Sequence, residues 1–202
     1  MPNGNKNKGL ICLYEAFGTG LILYTVNISA VGNKEPPTVA FAIMCIVIIL
    51  SPVCGCHFNG AVTLGVLFKD SGNFKQNLVS AIQIITSQII GGTIGVFLIS
   101  LTINKSLSIH ENIAVMQPMK NATYFKVFLI EAFGTFAFVT FVLYTKYHAS
   151  NSSGTLLCFV ALVTLYTILV LTIPLSGGCI NPSLGIVQTI FQYIVESSYE
   201  NS

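Results

Sequence analysis

The chain has 202 residues, of which 53% are hydrophobic and only 8% charged, and its mean hydropathy is +0.77. Soluble domains carry roughly 25% charged residues, so a soluble core could not hide this much apolar surface and the chain reads as an all-α membrane protein. All nine basic residues are lysines and the net charge is only +2, which leaves a nucleic-acid partner without support.

The first apolar run is Leu10–Ala30. It is long enough to cross a bilayer, which takes ~20 apolar residues, and with Glu15 inside it and no small-residue cleavage site it reads as a retained helix, not a signal peptide. Thr38–Val53 is the second and shortest predicted span. The stretch "CGCHFNGAVTLGVLF", Cys54–Phe68, follows, and then Asn77–Ile103 is a third span. A polar linker, residues 104–123, separates these from Tyr124–Tyr147 and Thr155–Pro174, the fourth and fifth spans. Next come "GGCINPSLGIVQTIF", Gly177–Phe191, and a polar tail, Gln192–Ser202. The six cysteines sit almost entirely in apolar segments, where a thiol behaves as a small hydrophobe, and are expected to be free.

The chain repeats itself. Glu-Ala-Phe-Gly-Thr at Glu15–Thr19 recurs at Glu131–Thr135, 116 residues later, and each copy is followed downstream by a glycine-containing stretch, an asparagine and a short apolar segment. The predicted organisation is a first repeat over residues 1–103, a linker over 104–123 and a second repeat over 124–202. Three spans separate the start of one copy from the start of the next, so the second copy is inverted, as in many transporters and channels. Lys6, Lys8, Lys69, Lys75 and Lys146 fall on one side and Lys34, Lys105, Lys120 and Lys126 on the other, which puts the linker outside the cell.

Residues 59–68 and 181–192 are too short to span. Ten residues at ~1.5 Å each cover ~15 Å, half of the ~30 Å hydrocarbon layer. Asparagine is a favoured helix N-cap and proline suits the first helical position, so Asn181-Pro182 reads as a helix start with Asn59 its counterpart. Two such half-helices in inverted copies can enter from opposite faces and meet at the midplane. There both N-termini direct about half an elementary charge at one point, and the amides of Asn59 and Asn181 add hydrogen-bond donors. Such a site suits a neutral hydrogen-bonding molecule and repels cations.

These residues resemble the major intrinsic protein family, the aquaporins and aquaglyceroporins, in which two Asn-Pro-Ala loops meet in a channel. The family's Glu-x-x-Gly-Thr opening is matched twice, its first loop resembles "CGCHFNGAVT" at Cys54–Thr63, and its third-helix Gln-x-x-Gly resembles Gln88–Gly92. The resemblance implies an inverted repeat of five full transmembrane helices and two re-entrant half-helices. It implies that Glu15 and Glu131 brace the loops, with Gln88 in a similar buried hydrogen-bonding role. It makes the carbonyls of Gly55, Cys56 and His57, and of Gly177, Gly178 and Cys179, a ladder of acceptors. Val39, Leu169, Gly178 and Leu184 become the selectivity filter, and a homotetramer in the lipid bilayer is implied as well.

The chain departs from that pattern in three places. Gly60 replaces the first proline, before Ala61, and Ser183 follows Pro182 where the family has alanine. Leu184 stands at the family's filter arginine, and no arginine exists elsewhere to substitute. Finally, Gln192–Ser202 is too short and polar to match Asn77–Ile103, so the resemblance's sixth helix is expected to be absent. The expected function is a passive channel for water and/or small neutral solutes (glycerol, urea, ammonia), without cofactor. The alternative is a non-conducting, aquaporin-like structural or adhesion membrane protein, or a truncated inactive chain. No acid and base pair, nucleophile motif or phosphate loop suggests an enzyme. Cys54, Cys56 and His57 are metal-ligand types, but no second ligand pair follows and a metal site is not expected.

Overall fold

The computed structural model describes residues 7–31, 36–102, 118–148 and 154–200. Lys6, Lys34, Lys105 and most of the linker, on which the sidedness rests, lie outside the described residues, as does the extreme end of the tail.

Among the described residues the chain forms seven α-helices and no strand: α1 Lys8–Val31, α2 Pro37–Leu50, α3 Gly60–Lys69, α4 Phe74–Thr102, α5 Tyr124–His148, α6 Gly154–Ser176 and α7 Pro182–Glu200. Four of them contain stretches long and apolar enough to cross a membrane: Lys8–Ala30, Phe74–Thr102, Tyr124–Tyr147 and Cys158–Ser176. The second predicted span is shorter than expected. Helix α2 has 14 residues, about 21 Å, because Pro52 has no N–H with which to continue the helical ladder.

The half-helix expected over residues 181–192 is corrected in the other direction, since α7 runs on to Glu200. Nothing in the sequence after Gly185 breaks a helix, so the backbone continues past the end of the apolar stretch. Its inner face is nevertheless confined to the first turns: Ser183, Leu184, Val187 and Gln188 are buried, while Ile186, Ile190, Tyr193 and Ile194 are exposed.

Helices α1 and α4 pack backbone to backbone. A Cβ on Gly91 would lie 1.9 Å from the carbonyl oxygen of Ala16, and one on Gly95 would lie 2.3 Å from that of Gly20. Only hydrogen fits there, which is the use of small residues at membrane helix interfaces. Gly92 faces elsewhere, 3.4 Å from Leu23 and Val187. One apolar cluster joins α1, α2, α4 and α7 through Leu23, Leu50, Ile84, Val96 and Val187, and a second joins α2 to α6 through Val39, Leu165, Ile168 and Leu169. Large apolar side chains also cover the outer surface of the helices. Helix α5 exposes Phe125, Phe128, Phe133 and Phe136, a patch that a soluble protein would hide and lipid accommodates. The chain is a multi-pass membrane protein.

One buried polar pair tethers the short helix to the long ones. Asn27 on α1 and Gln188 on α7 are both fully buried, and their amides exchange hydrogen bonds of 2.9 and 3.0 Å. An unpartnered amide here would cost about 1–3 kcal/mol, so the pair specifies how α7 docks.

Candidate functional site

The two loops that lead into α3 and α7 share two unusual backbone positions. In each, the residue three before the asparagine and the residue one before it hold positive φ: Cys56 (50°) and Phe58 (45°) in the first, Gly178 (65°) and Ile180 (50°) in the second. Three of these four are not glycine, and such conformations persist only where their surroundings hold them.

The glutamates do the holding. Glu15 is fully buried, and its two carboxylate oxygens accept the backbone N–H groups of His57 at 2.9 Å and Phe58 at 2.8 Å. In the second copy Glu131 accepts those of Cys179 at 3.1 Å and Ile180 at 2.8 Å. Each carboxylate thus reaches a loop more than 40 residues away in its own repeat. Charge-assisted bonds of this kind are about twice as strong as neutral ones. Ser176, which the sequence reading did not single out, donates a further hydrogen bond to Glu131. Beside the glutamates, Gly18 in α1 leaves room for the Phe58 ring, and Gly134 in α5 meets Thr172, Ile168 and Ile180.

Both asparagines cap their helices. Asn59 has extended backbone and its Oδ1 accepts the N–H of Ala61 at 2.8 Å. Asn181 Oδ1 accepts the N–H groups of Ser183 at 3.1 Å and Leu184 at 3.4 Å. Each then reaches across: Asn59 Nδ2 donates to the Ile180 carbonyl at 3.0 Å, and Asn181 Nδ2 donates to the Phe58 carbonyl at 2.7 Å. The helix tips are held together by their own caps. Every side-chain amide nitrogen carries two hydrogens, so one crossing bond leaves each asparagine a second donor.

The departures at Gly60 and Ser183 are a matched pair. A Cβ on residue 60 would sit 2.7 Å from Ser183 Oγ and 3.4 Å from Pro182 Cγ. Glycine makes space for a hydroxyl, and that hydroxyl donates to Gln88 Oε1 at 2.9 Å. Gln88 Nε2 in turn donates to Glu15 Oε2 at 3.1 Å and Thr63 Oγ1 at 3.2 Å. A buried network therefore runs from the tip of α7, through α4, to the carboxylate that braces the first loop. Thr63 also meets His57 Nδ1 at 3.2 Å and donates to the Asn59 carbonyl.

A cavity of about 330 Å³ lies against these elements. It is bordered by Asn59 and Asn181, by Cys56 and His57 of the first loop and Gly177, Gly178 and Cys179 of the second, and by Val39, Leu169 and Leu184. The rest of its wall is aliphatic and aromatic, including Ile22, Val26, Val47 and Phe138. Gly55, Gly60, Ala61, Pro182 and Ser183 do not line the cavity, nor do Glu15, Gln88 and Glu131. Gly55 has its own partner, since Lys146 Nζ donates to its carbonyl at 3.2 Å. That contact, like the Asn27–Gln188 pair, had no local sequence signal. The cavity wall thus combines apolar side chains with the two asparagines and residues of both loops.

The family described as Major intrinsic protein matches residues 10–199 of this chain, nearly its whole length. No curated protein matches it.

Proposed function

We propose that this chain, which belongs to the major intrinsic protein family, is a passive channel for water together with small neutral solutes such as glycerol, urea and ammonia. Membership of the family points to a channel for water or small solutes and not to an enzyme. The finer reading rests on the cavity. In it α1, α4, α5 and α6 are full spans and the 14-residue α2 is a fifth, shorter crossing completed by the chain on either side of it, while α3 and α7 enter from opposite faces. The homotetramer is carried by family membership alone.

The observation that carries the reading is the pair of crossed asparagine caps bordering one cavity. Two helix N-termini meet there, and together they present about one elementary charge of positive potential. A cation meets repulsion and would shed water against apolar walls. A neutral molecule instead accepts from the asparagine amides while donating to the loop carbonyls of Cys56, His57, Gly177, Gly178 and Cys179. Solutes broader than water enter the reading because Val39, Leu169, Gly178 and Leu184 border the cavity without any fixed charge. A charged side chain at that constriction would narrow it and hold its own water shell.

The test is stopped-flow light scattering on vesicles carrying the 202-residue chain. The expected result is water and glycerol flux above empty vesicles, both reduced by Asn181→Ala. Water flux with complete exclusion of glycerol, urea and ammonia would overturn the solute assignment. No flux at all, from protein shown to be folded, would leave a structural membrane protein in place of a channel.

A further inference from the structure

Between α2 and α3 the chain reads Cys-Gly-Cys-His, and the channel reading uses only the backbone of this stretch. The two thiols meet head to head, with Cys54 Sγ 3.5 Å from Cys56 Sγ. Their other polar contacts are long ones to the helix α2 carbonyls of Leu50, at 3.6 Å, and Val47, at 3.8 Å. The two differ in access. Cys54 is 3% exposed, whereas Cys56 is only partly buried and borders the cavity. A disulfide brings sulfurs to about 2.05 Å, so closure requires ~1.5 Å of relative movement, within reach of side-chain rotation.

We propose that Cys54 and Cys56 are a redox-active dithiol in the cavity wall, which a peroxide converts reversibly to a disulfide. Cys56 is the attacking thiol and Cys54 the resolving one. Hydrogen peroxide is small, neutral and able both to donate and to accept hydrogen bonds, as the cavity requires. Its O–O bond breaks on Cys56 sulfur, giving Cys56 sulfenic acid and one water. Cys54 sulfur then displaces the hydroxyl, forming the S–S bond and a second water. The sulfur pair loses two electrons and the peroxide gains them.

The device belongs to the first repeat alone. Aligning Asn59 with Asn181 puts Ser176 and Gly178 at the positions of Cys54 and Cys56. Cys179, the cavity thiol of the second loop, donates instead to the Asn181 carbonyl at 3.0 Å. Thiols buried only as small hydrophobes would be inert. A cavity-facing thiol in contact with a shielded one sets an attacking and a resolving sulfur side by side.

The test uses the full chain, reduced, in detergent, treated with hydrogen peroxide, alkylated and mapped by mass spectrometry. The expected product is a peptide spanning residues 54–56 that is lighter by about 2 Da, restored by dithiothreitol and no longer modified by a mercurial at Cys56. Cys54→Ser should stop the reaction at a Cys56 sulfenic acid that dimedone traps. Cys56→Ser should leave Cys54 unoxidised. Folding of each variant is checked by its helical circular dichroism and monodispersity. An unoxidised 54–56 peptide in the folded wild type, or Cys54 sulfenic acid in folded Cys56→Ser, would overturn the proposal. It rests on the channel reading only for how peroxide reaches Cys56 in a membrane. Oxidation in detergent without vesicle flux would therefore sink the channel and leave the dithiol.

Discussion

Gly60 and Ser183 should behave as one site. In Gly60→Ala the new methyl would lie 2.7 Å from Ser183 Oγ, well inside contact distance, and the hydroxyl cannot retreat without leaving Gln88. Overpacking of this kind costs about 1–3 kcal/mol. If the hydroxyl does rotate away, the orphaned Gln88 Oε1 costs a similar about 1–3 kcal/mol. Against this stands a gain of at most ~1 kcal/mol from replacing glycine by alanine at the start of a helix. The single variant should lose about 1–2 kcal/mol net. In the Ser183→Ala background the obstruction is gone, and adding Gly60→Ala should be neutral or stabilising. The assay is thermal unfolding of the four proteins of the cycle in one detergent, with osmotic permeability as a second readout. Independent sites add to within about 0.5 kcal/mol. If Gly60→Ala cost the same in the native chain as in the Ser183→Ala background, steric coupling to the Ser183 hydroxyl would be refuted and the loss would have to arise from another neighbour, such as Pro182 Cγ at 3.4 Å.

The bracing carboxylates offer a symmetric test. Glu15→Gln and Glu131→Gln each turn an amide donor toward a backbone N–H, at His57 or Phe58 in the first loop and at Cys179 or Ile180 in the second. Each should cost on the order of 1–3 kcal/mol, read as a lower unfolding temperature with reduced flux, and an unchanged temperature would remove the brace. Leu184→Arg adds a charge to the cavity wall, at the position proposed as part of the filter. It should leave water permeability measurable while lowering glycerol permeability by on the order of tenfold, which corresponds to ~1.4 kcal/mol of added barrier; equal losses for both solutes would indicate simple plugging. Mercurials should block flux through Cys56 and Cys179, both at the cavity. Cys158 is a third free thiol bordering the cavity, so only the triple serine variant at Cys56, Cys158 and Cys179 should be fully resistant, and resistance of the unmodified channel would take all three thiols off the path.

Much of this site can be read along the chain because it is built from local rules applied twice. Five apolar stretches, a repeated Glu-Ala-Phe-Gly-Thr and two asparagines at helix starts are visible in one dimension, since span length, capping and repetition depend only on neighbouring residues. A carboxylate inside an apolar span also announces itself, because burial there demands a partner; Glu15 and Glu131 could be singled out before their partners were known.

What the sequence could not supply is which groups meet across the repeats. The Asn59 amide finds Ile180 and the Asn181 amide finds Phe58, pairs 121 and 123 residues apart, and no local rule selects those carbonyls. Gly60 and Ser183 read as two separate departures until the helix tips are placed together, when one becomes the space for the other. Composition alone understates α7, because its apolar stretch ends near Gln192 whereas the hydrogen-bonded backbone runs on to Glu200. Asn27 and Gln188, two ordinary amides in sequence, become a buried tether once α1 and α7 pack. Composition determined that the chain is a membrane protein, and repetition singled out Glu15, Glu131 and the two asparagines. Tertiary packing alone decided the contacts between the two repeats, because a buried polar group is satisfied by whatever lies nearest in space.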